Sequence, residues 1–366
     1  MRAEVGQILT PEQVLATARS IARQQDPSGA IPWYAAFDGY PPGHVDAWNH
    51  VEAAMALTVA GLTEPARRAY LWLRDEQRED GSWPAKWVAG EVTEAGGESN
   101  HAAYVAVGIW HELIMTGDTE FVRGMWPMVR RAIDYVLTLQ TPFGDIKWIR
   151  HEDGSLGGES LLTGCSSIYQ ALRCAVALAE RLGEPQPGWE LSADQLGHVI
   201  ARHPEVFADK SRWSMDWYYP VLGGAVRGSQ ADALIASQWD VFMVEGLGCR
   251  CVSDQPWVTG AETCELVMAL DAIGDPRAAE VFQKIQFLRE EDGSYWTGWQ
   301  YRDQRHFPGD RSTYTAAAVI LAADALADAS PGARIFKEIA GRPLAPSKPS
   351  DPVACGCAHV PARTSS

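Results

Sequence analysis

Six segments of the chain share one plan, in which a glycine-rich or polar loop leads into an apolar helix rich in alanine. Successive helix starts are spaced 53, 61, 56, 43 and 53 residues apart. This spacing suits a helical hairpin plus a loop, and a repeated hairpin must stack on its neighbours to bury its apolar face. The six predicted starts, of which the fourth is the least clear, are Asp46, Ser99, Ser160, Asp216, Thr259 and Ser312.

Amphipathic helices alternate with these apolar ones. In one of them Phe121, Met125 and Val129 form an apolar face, while Arg123 and Arg130 lie on the opposite side. Because a helix that is apolar nearly all round is buried, the sequence predicts an all-α (α/α)6 toroid, with six inner helices inside six outer ones. The predicted outer helices span residues 11–25, 64–77, 119–140, 193–203, 230–244 and 276–289.

This pattern predicts one toroid domain over residues 1–340. Residues 341–366 are rich in Pro, Ser and Ala, a composition typical of a disordered tail.

The loops carry a second repeat, an Asp-Gly-Ser-aromatic turn. It occurs at 77–83 and 291–295, with looser copies at 26–33 and 140–148. Asp-Gly forms a tight turn at the end of an outer helix, and the aromatic side chain fills the gap between hairpins. We therefore interpret these aspartates as turn formers and not as catalysts.

Composition excludes several classes of partner. A net charge of −16 disfavours nucleic acid and anionic membrane surfaces, which require basic patches. We expect no leader peptide and no transmembrane segment, because no apolar stretch is long enough. The seven scattered cysteines do not form a disulfide framework and favour a cytoplasmic protein.

Each Asp-Gly-Ser-aromatic turn is followed by a loop of about twenty residues and then by an Ala-rich helix. This order resembles the repeat of the terpene cyclase and protein prenyltransferase β-subunit superfamily. Residues 116–137 are similar instead to outer-helix segments of six-hairpin glycosidases. Up to about Gly341 the chain also resembles actinobacterial proteins labelled "prenyltransferase" without a defined reaction. Both superfamilies imply an α/α toroid whose substrate binds at the mouth formed by the inner-helix N-termini.

The chain lacks the chemical motifs of the isoprenoid families. It has neither Asp-x-Asp-Asp nor Asp-Asp-x-x-Asp. Asp310 and Cys264 are present where prenyltransferases hold zinc, but the last inner helix has no Cys or His. The prenyl resemblance therefore rests on the repeats and not on a site.

Three carboxylates are the predicted catalysts, namely Asp46, Asp216 and Glu262. Asp46 and Asp216 belong to repeats one and four, which a six-hairpin ring places across the mouth from each other. Glu262 lies in an otherwise apolar helix, where an unpaired charge costs several kcal/mol, roughly. We expect one of the three to have a raised pKa, because closely placed carboxylates in a partly desolvated pocket cannot all stay ionised.

Other polar and aromatic residues near the inner-helix starts are predicted to bind substrate. The stacking faces are Trp48, Trp217, Trp257 and Tyr314, and the polar clamps are Asn49, His50, Asn100, His101 and Arg311. The remaining predicted contacts are Glu98, Tyr104, Tyr218, Asp254 and Asp310. Structural alternatives exist: Asp46, Ser99 and Ser312 occupy plausible N-cap positions, His50 and His101 each suit a core histidine, and Glu98 and Asp310 suit a helix dipole.

Tryptophan beside Asp, Asn, His and Glu is the composition of a sugar site, because flat rings pack on pyranose C–H faces while polar groups take the hydroxyls. We therefore expect an enzyme that acts on a carbohydrate or a glycosylated small molecule by carboxylate acid/base chemistry. The alternatives are an isoprenoid enzyme and a non-catalytic toroid that binds a glycan or a partner protein.

We predict no metal and no other cofactor. Cys355, Cys357 and His359 form the one short soft-ligand cluster, and one such cluster in a tail does not make a four-ligand site. Treatment with EDTA followed by desalting should leave both helical circular dichroism and activity unchanged. Stoichiometric zinc or magnesium that is lost together with activity would contradict this prediction.

Overall fold

The computed structural model describes residues 8–37 and 40–344, and this part of the chain contains twelve α-helices. The outer helices are α1 (Pro11–Gln24), α3 (Thr63–Glu76), α5 (Thr119–Leu137), α7 (Pro187–Arg202), α9 (Ser229–Phe242) and α11 (Ala278–Lys284). The inner helices are α2 (Ala47–Val59), α4 (Ser99–Thr116), α6 (Leu162–Leu182), α8 (Ser214–Leu222), α10 (Gly260–Ala272) and α12 (Thr313–Ala327).

The inner helices close into a ring. Each contacts the next in chain order, and α12 packs back on α2. The outer helices cover the outside of this ring, with α3 on α2, α5 on α4 and α7 on α6. The predicted all-α (α/α)6 toroid is therefore confirmed.

Small side chains bring the inner and outer helices together. Gly108 in α4 is an example, because a Cβ there would lie 2.6 Å from Val51 and 3.0 Å from the ring of Tyr70. The Tyr70 hydroxyl donates a hydrogen bond to the Gly108 carbonyl oxygen at 3.1 Å. The small residues of the inner helices thus allow neighbouring helices to approach closely.

The turn after α3 is fastened to the next outer helix. Gly81 has a φ of +92°, and a Cβ there would lie 2.2 Å from the carbonyl oxygen of Arg131 in α5. The side-chain amide of Gln77 donates to the carbonyl oxygens of Gly81 and Met128, at 3.0 and 2.9 Å. Only glycine combines this backbone conformation with this close approach.

The same arrangement recurs around the ring. After α1, a Cβ on Gly29 would lie 2.5 Å from the carbonyl oxygen of Arg68 in α3. After α5, Gly144 meets α7, and after α11 a Cβ on Gly293 would lie 2.5 Å from the backbone of Ala16 in α1. Because this last contact joins the final hairpin to the first, the turns help to close the ring.

The aspartates of these turns are turn formers, as predicted. Asp80 accepts hydrogen bonds from the amide and hydroxyl of Ser82, at 2.9 and 2.7 Å. Asp292 makes the same two bonds with Ser294, at 3.0 and 2.6 Å. The aromatic residue of the α3 turn, Trp83, is buried and donates its indole N–H to a backbone carbonyl of α3.

Four helices begin two or more residues away from their predicted starts. The α6 helix begins two residues later than the predicted start at Ser160, α8 begins two residues before Asp216, α11 begins at Ala278 instead of residue 276, and α7 begins at Pro187 instead of residue 193. The proline accounts for the early start of α7, because its fixed φ suits the first helical position.

Two of the three predicted N-caps are confirmed. Asp46 accepts a hydrogen bond from the amide of Asn49, and Ser312 accepts one from the amide of Thr315. Ser99 is instead the first residue of α4, and its hydroxyl donates to the carbonyl oxygen of Trp148 in the loop after α5.

Short antiparallel strands extend the loops between helices. They are β1 (Lys86–Val88), β2 (Glu91–Glu94), β3 (Gly97–Glu98), β4 (Ile149–Arg150), β5 (Met243–Val244), β6 (Gly248–Cys249), β7 (Trp257–Thr259), β8 (Gly298–Gln300), β9 (Arg305–His306), β10 (Glu338–Ile339) and β11 (Arg342–Pro343). The pairs β3–β4 and β7–β8 lead directly into α4 and α10, so they fix the loops at the inner-helix N-termini.

The fold continues past residue 340, the predicted end of the domain. The hairpin β10–β11 crosses that position, and Leu344 is buried against Gly224. The rest of the predicted tail, with Cys355, Cys357 and His359, lies outside the described residues. Within residues 8–37 and 40–344, no helix is both long enough and apolar enough to cross a bilayer.

Gly81→Ala should destabilise the toroid more than Gly117→Ala. Both glycines have positive φ, but the space beside Gly117 is open. We expect a loss of about 1 kcal/mol for Gly117→Ala and about 2–4 kcal/mol for Gly81→Ala, because the second variant adds a clash to the backbone strain. Urea unfolding curves measure both losses, and equal losses would show that the contact with Arg131 contributes nothing.

Candidate active site

The inner helices place two layers of side chains at one mouth of the toroid. Residues three apart on a helix share a face, so the third and sixth residues of each inner helix stand one above the other. The third residues are Asn49, His101, Gly164, Asp216, Glu262 and Thr315. The sixth residues are Glu52, Tyr104, Ser167, Tyr219, Glu265 and Ala318. We call this end of the ring the central mouth.

The upper layer is partly open and the lower layer is closed. Asn49, His101, Asp216 and Glu262 are all half-buried. Glu52 and Glu265, one helical turn below, are both buried. A ligand that enters the mouth therefore meets the third residues first.

An aromatic floor lies at the level of the first turns. It is centred on Trp48, whose ring centroid lies 5.4 Å from that of Tyr104, 6.1 Å from Tyr219 and 5.7 Å from Tyr314. Trp33 extends this floor, with its centroid 5.4 Å from that of Tyr314. Trp48 is 8% exposed, and its indole N–H has no partner among the described residues, so it can donate to a ligand.

Two buried carboxyls hold the tyrosines of the floor. The Tyr104 hydroxyl donates to Glu52. Glu265 accepts from Tyr219 at 2.7 Å and from Tyr314 at 2.6 Å, and it also accepts from Tyr218. Three tyrosines from two helices thus meet on one carboxyl group of a third helix.

Burial favours the protonated form of both carboxyls. It raises the pKa of Glu52 to about 7 and that of Glu265 to about 8, although the tyrosine hydrogen bonds act in the opposite direction. The nearby Glu262 adds to the upward shift of the Glu265 pKa. The neutral forms avoid the cost of burying two unpaired charges.

Asp46 is an ionised carboxylate at the edge of the floor. It accepts from the Asn49 amide at 2.8 Å, from Asn49 Nδ2 at 2.6 Å and from His44 Nε2 at 3.1 Å. Burial alone would raise the pKa of Asp46, but the hydrogen bond from His44 and the charges of His101 and His44 outweigh it and hold the pKa well below its usual range.

A second carboxylate stands beside this cluster. Glu98 Oε2 lies 3.4 Å from His101 Nε2 and accepts from the indole N–H of Trp148 at 3.0 Å. Trp148 is about one-third exposed, so the bond to Glu98 holds an accessible indole at the rim. His101 thus lies between Glu98 and Asp46, at 3.4 and 3.9 Å.

Glu262 occupies the other side of the mouth, in the first turn of α10. Burial raises the pKa of the half-buried Cys251 thiol, and the neighbouring Glu262 raises it further. Glu265 lies one turn below on the same helix face. A ligand in the mouth would therefore meet carboxylates from both α2 and α10.

Several buried polar atoms around the mouth have no hydrogen-bond partner among the described residues. They are Trp48 Nε1, Asn49 Oδ1, His101 Nδ1, Ser167 Oγ and Thr259 Oγ1. Buried polar atoms are nearly always paired in native proteins, so a group of unpaired ones indicates that a ligand or water completes their bonding.

Asp216 lies at the outer edge of the mouth. Its Oδ1 accepts from the amide and the hydroxyl of Thr163, at 3.2 and 2.6 Å. Burial raises the pKa of Asp216, with a small further rise from Asp209. One of the three predicted catalysts, Asp216, thus has a raised pKa, as expected. The cause is burial and not the proximity of Asp46 or Glu262.

Three predicted ligand residues do not face the mouth. His50 is the fourth residue of α2, and its ring bridges the Ile31 amide and the Ala69 carbonyl oxygen, so it is the core histidine of the structural alternative. Burial lowers the pKa of His50 to about 4. Trp217 donates to a carbonyl of α9 and stacks on Phe242, and Tyr218 bonds to Glu265 below the floor.

The predicted residues on the outer loops form local pairs. Asp254 is exposed and bonds to Arg212 at 2.9 Å, which lowers the pKa of Asp254. Arg311 donates to Ser294 at 3.0 Å and lies over the ring of Trp296. Asp254 thus joins its loop to the loop before α8, and Arg311 bonds within its own loop.

The remaining predicted residues lie near the mouth without a shared cluster. Asp310 accepts from the Thr297 hydroxyl, and burial raises its pKa. Trp257 contacts Phe307 at 4.9 Å between ring centroids, and Asn100 is half-buried in the first turn of α4.

The sequence analysis missed Glu265, the most heavily bonded residue of the floor. Its signal was available, because Glu262 and Glu265 repeat the three-residue spacing of Asn49 and Glu52. Within the described residues, no three His, Cys, Asp or Glu side chains are arranged to hold a metal ion.

One curated relative is similar along nearly the whole chain. The chain is 58% identical over 333 residues to a protein described as "MMP endo-(1,4)-3-O-methyl-alpha-D-mannosidase" from Mycolicibacterium hassiacum, and the match covers 91% of each chain. No protein-family profile matches the chain.

Solved structures show the fold at low identity. A wild-type glycosidase (14% identical, TM-score 0.65) and a D-mannose isomerase (11%, 0.66) each match 88% of this chain and 98% of their own. A GH63 mannosylglycerate hydrolase from Thermus thermophilus, solved with glucose, is 10% identical with a TM-score of 0.61 over 85% and 99%. These structures establish a glycosidase-like α/α toroid, and they lend no support to the prenyltransferase resemblance.

Glu265→Gln should change how stability depends on pH. The folded pKa of Glu265 is about 8 against an ordinary value of 4.5, so the folded state binds a proton that the unfolded state loses. The stability from this group is therefore complete below about pH 4.5 and is lost as pH rises to about 8. Urea unfolding from pH 5 to pH 9 should show a smaller alkaline loss in Glu265→Gln than in the wild type. The exposed Glu245→Gln is the control, and identical slopes in all three proteins would contradict the assignment.

Proposed function

The chain belongs to the family of the Mycolicibacterium hassiacum mannosidase, and on this premise we propose that it hydrolyses internal (1,4) linkages between 3-O-methyl-α-D-mannose units. The observation that carries the proposal is the 58% identity along 91% of both chains. The predicted carbohydrate-acting enzyme, of glycoside-hydrolase type, is confirmed by this relationship. Neither an isoprenoid enzyme nor a non-catalytic toroid has comparable support.

The geometry of the mouth supports a sugar substrate. The aromatic floor offers flat faces for pyranose C–H groups, and the unpaired atoms on Trp48, Asn49 and His101 offer a donor and further polar groups for hydroxyls. Substrate bonds to these atoms would satisfy groups that are otherwise buried without partners.

Asp46 suits the role of general base. It is ionised and lies beside His101 and the unpaired Asn49 Oδ1, where a substrate would complete the bonding. The charges of His44 and His101 lower its basicity, so proton transfer to it is helped as the reaction draws charge away from the attacking water. In the proposed reaction a water attacks the anomeric carbon, the glycosidic C–O bond breaks, and the proton of the water passes to this carboxylate.

The proton for the departing sugar oxygen must come from a second carboxyl. Glu262 is the first candidate, because it faces the mouth from α10 and lies in its accessible upper layer. Asp216 is the second candidate, since burial raises its pKa and thereby favours the protonated form. Both are third residues of neighbouring inner helices, and the kinetics of their variants distinguish them.

We also keep the expectation that the enzyme needs no cofactor, binds no nucleic acid and acts in the cytoplasm. Cell fractionation with an antibody against the protein tests the location. Recovery with the culture medium or envelope fraction would contradict it.

Substitution of each carboxylate should identify the acid and the base. Asp46→Asn and Glu262→Gln should each lower kcat/KM on a (1,4)-linked 3-O-methylmannose oligosaccharide by about 10²- to 10⁴-fold. A 2,4-dinitrophenyl glycoside of the same sugars needs little protonation of its leaving group. Removal of the proton donor should therefore lower kcat/KM much less on the dinitrophenyl glycoside than on the oligosaccharide. Removal of the base should lower kcat/KM by about the same factor on both substrates.

Asp216→Asn is measured in the same way, and the donor is whichever of Glu262 and Asp216 shows the leaving-group effect. Unfolding free energies of Glu262→Gln and Asp216→Asn should stay within about 1 kcal/mol of wild type. Asp46→Asn keeps a good N-cap but loses the charge interactions with His44 and His101, so we expect it to be less stable and measure its activity where circular dichroism shows it folded. Full activity of all three variants on the oligosaccharide would refute the assignment of the site.

A further inference from the structure

A groove of about 400 Å³ lies beside the central mouth, between the loop at 204–211, α8 and α9. Its inner surface is largely apolar and includes Phe207, Trp217, Leu234 and Phe242. We call it the α8–α9 groove. Neither Asp46 nor Glu262 lines it, and of the proposed catalysts only Asp216, the second candidate for the proton donor, lies at its edge.

The first turn of α8 separates this groove from the mouth. Asp216 and Trp217 line the groove, whereas the next two residues, Tyr218 and Tyr219, bond to Glu265 under the aromatic floor. The loop at 204–211 precedes an inner helix, so the groove lies at the same end of the toroid as the mouth. A chain of sugars that passes over this turn would reach from one to the other.

The walls of the groove are held by contacts within the protein. The Trp217 indole N–H donates to the Leu234 carbonyl oxygen at 2.9 Å, and its ring stacks on Phe242 with 5.5 Å between centroids. Lys210 at the margin lies 3.3 Å from Glu159 of the loop before α6. These contacts give the apolar wall a fixed shape before any ligand arrives.

Both apolar and polar groups face the same space. Thr163 makes both of its hydrogen bonds to Asp216 at Oδ1, and Ser237 and Gln238 of α9 add polar groups to the margin. The apolar lining residues that a ligand can reach are Leu162, Pro204 and Leu234. An unmodified hexose would place hydroxyls against them, where those hydroxyls lose their hydrogen bonds to water. A methyl ether removes one such donor and adds an apolar group that fits the wall.

We propose that the α8–α9 groove binds an O-methylated hexose unit of the same polysaccharide, next to the units held in the central mouth. This inference rests on the proposed function for the identity of the chain. It gives the enzyme an anchor for the polymer away from the bond that is cut, and it favours chains that are methylated at the anchored unit.

A probe in the groove tests binding without catalysis. Ser237 lies at the groove on α9, whereas Ala236 is exposed on the same helix and does not line it. Ser237→Cys and Ala236→Cys are labelled with a trifluoromethyl reagent, and equally treated wild type identifies signals from the native cysteines. Methyl 3-O-methyl-α-D-mannopyranoside should shift the ¹⁹F signal at 237 in a saturable way, more strongly than methyl α-D-mannopyranoside, and leave 236 unmoved. No shift at 237, an equal shift at 236 or an equal response to both glycosides would overturn the proposal.

A blocked groove tests its use in hydrolysis. Ser237→Trp should lower kcat/KM at least tenfold on long O-methylated oligosaccharides and change it less than twofold on the shortest chain that is cut. Ala236→Trp should match wild type on both. Equal effects of the two variants, or an equal loss on short and long chains, would show that the groove is not a separate binding site. If wild type cuts none of these chains, the proposed function fails, and the ¹⁹F titration still decides whether the groove binds the glycoside.

Discussion

The close approach of turn glycines to neighbouring outer helices is the constraint on which the ring depends. A Cβ at Gly81 or Gly29 would lie within 2.5 Å of a carbonyl oxygen on the next outer helix, and Gly293 makes the equivalent contact with the first helix of the chain. Each contact sets the distance between two hairpins, and the inner helices inherit their spacing from it. Since the third residues of those helices form the mouth, the geometry of the site follows from turns on the outside of the toroid.

Burial of neutral carboxyls explains how a polar site can sit on a packed core. Glu265 and Glu52 lie a full turn inside apolar helices, where ionised groups would be costly. Their raised pKa values let them bond to tyrosine hydroxyls as neutral acids. The tyrosine rings then carry Trp48, so the hydrogen bonds below the floor position the surface that meets the sugar. Asp46 is also buried, but it stays ionised because its histidine neighbours stabilise the negative charge.

The helices could be predicted because the periodicity of apolar residues is a local property of the sequence. The site could not, because it depends on which face of a helix each residue occupies and on partners that are distant in sequence. Within the described residues, apolar and amphipathic periodicity located all twelve helices, and the errors, the largest at α6, α7, α8 and α11, concerned where a helix begins or ends. His50 and His101 looked alike in sequence, yet one is the fourth and the other the third residue of its helix. That difference of about 100° sends His50 into the core and His101 into the mouth. The spacing of Glu262 and Glu265 pointed to Glu265, but its bonding could not be predicted locally, because the tyrosines that donate to it come from α8 and α12.

The repeat that departs most from the common plan is the one that carries the groove. The α8 helix has 9 residues, against 13 to 21 in the other inner helices, and Arg227 and Leu344 pack in the space beyond its end. At its other end, the loop at 204–211 passes outside Trp217 and does not fill the gap to α9. A polymer that is cut within its chain needs binding places on either side of the cleaved bond, and the irregular fourth repeat leaves a space of that kind beside Asp216.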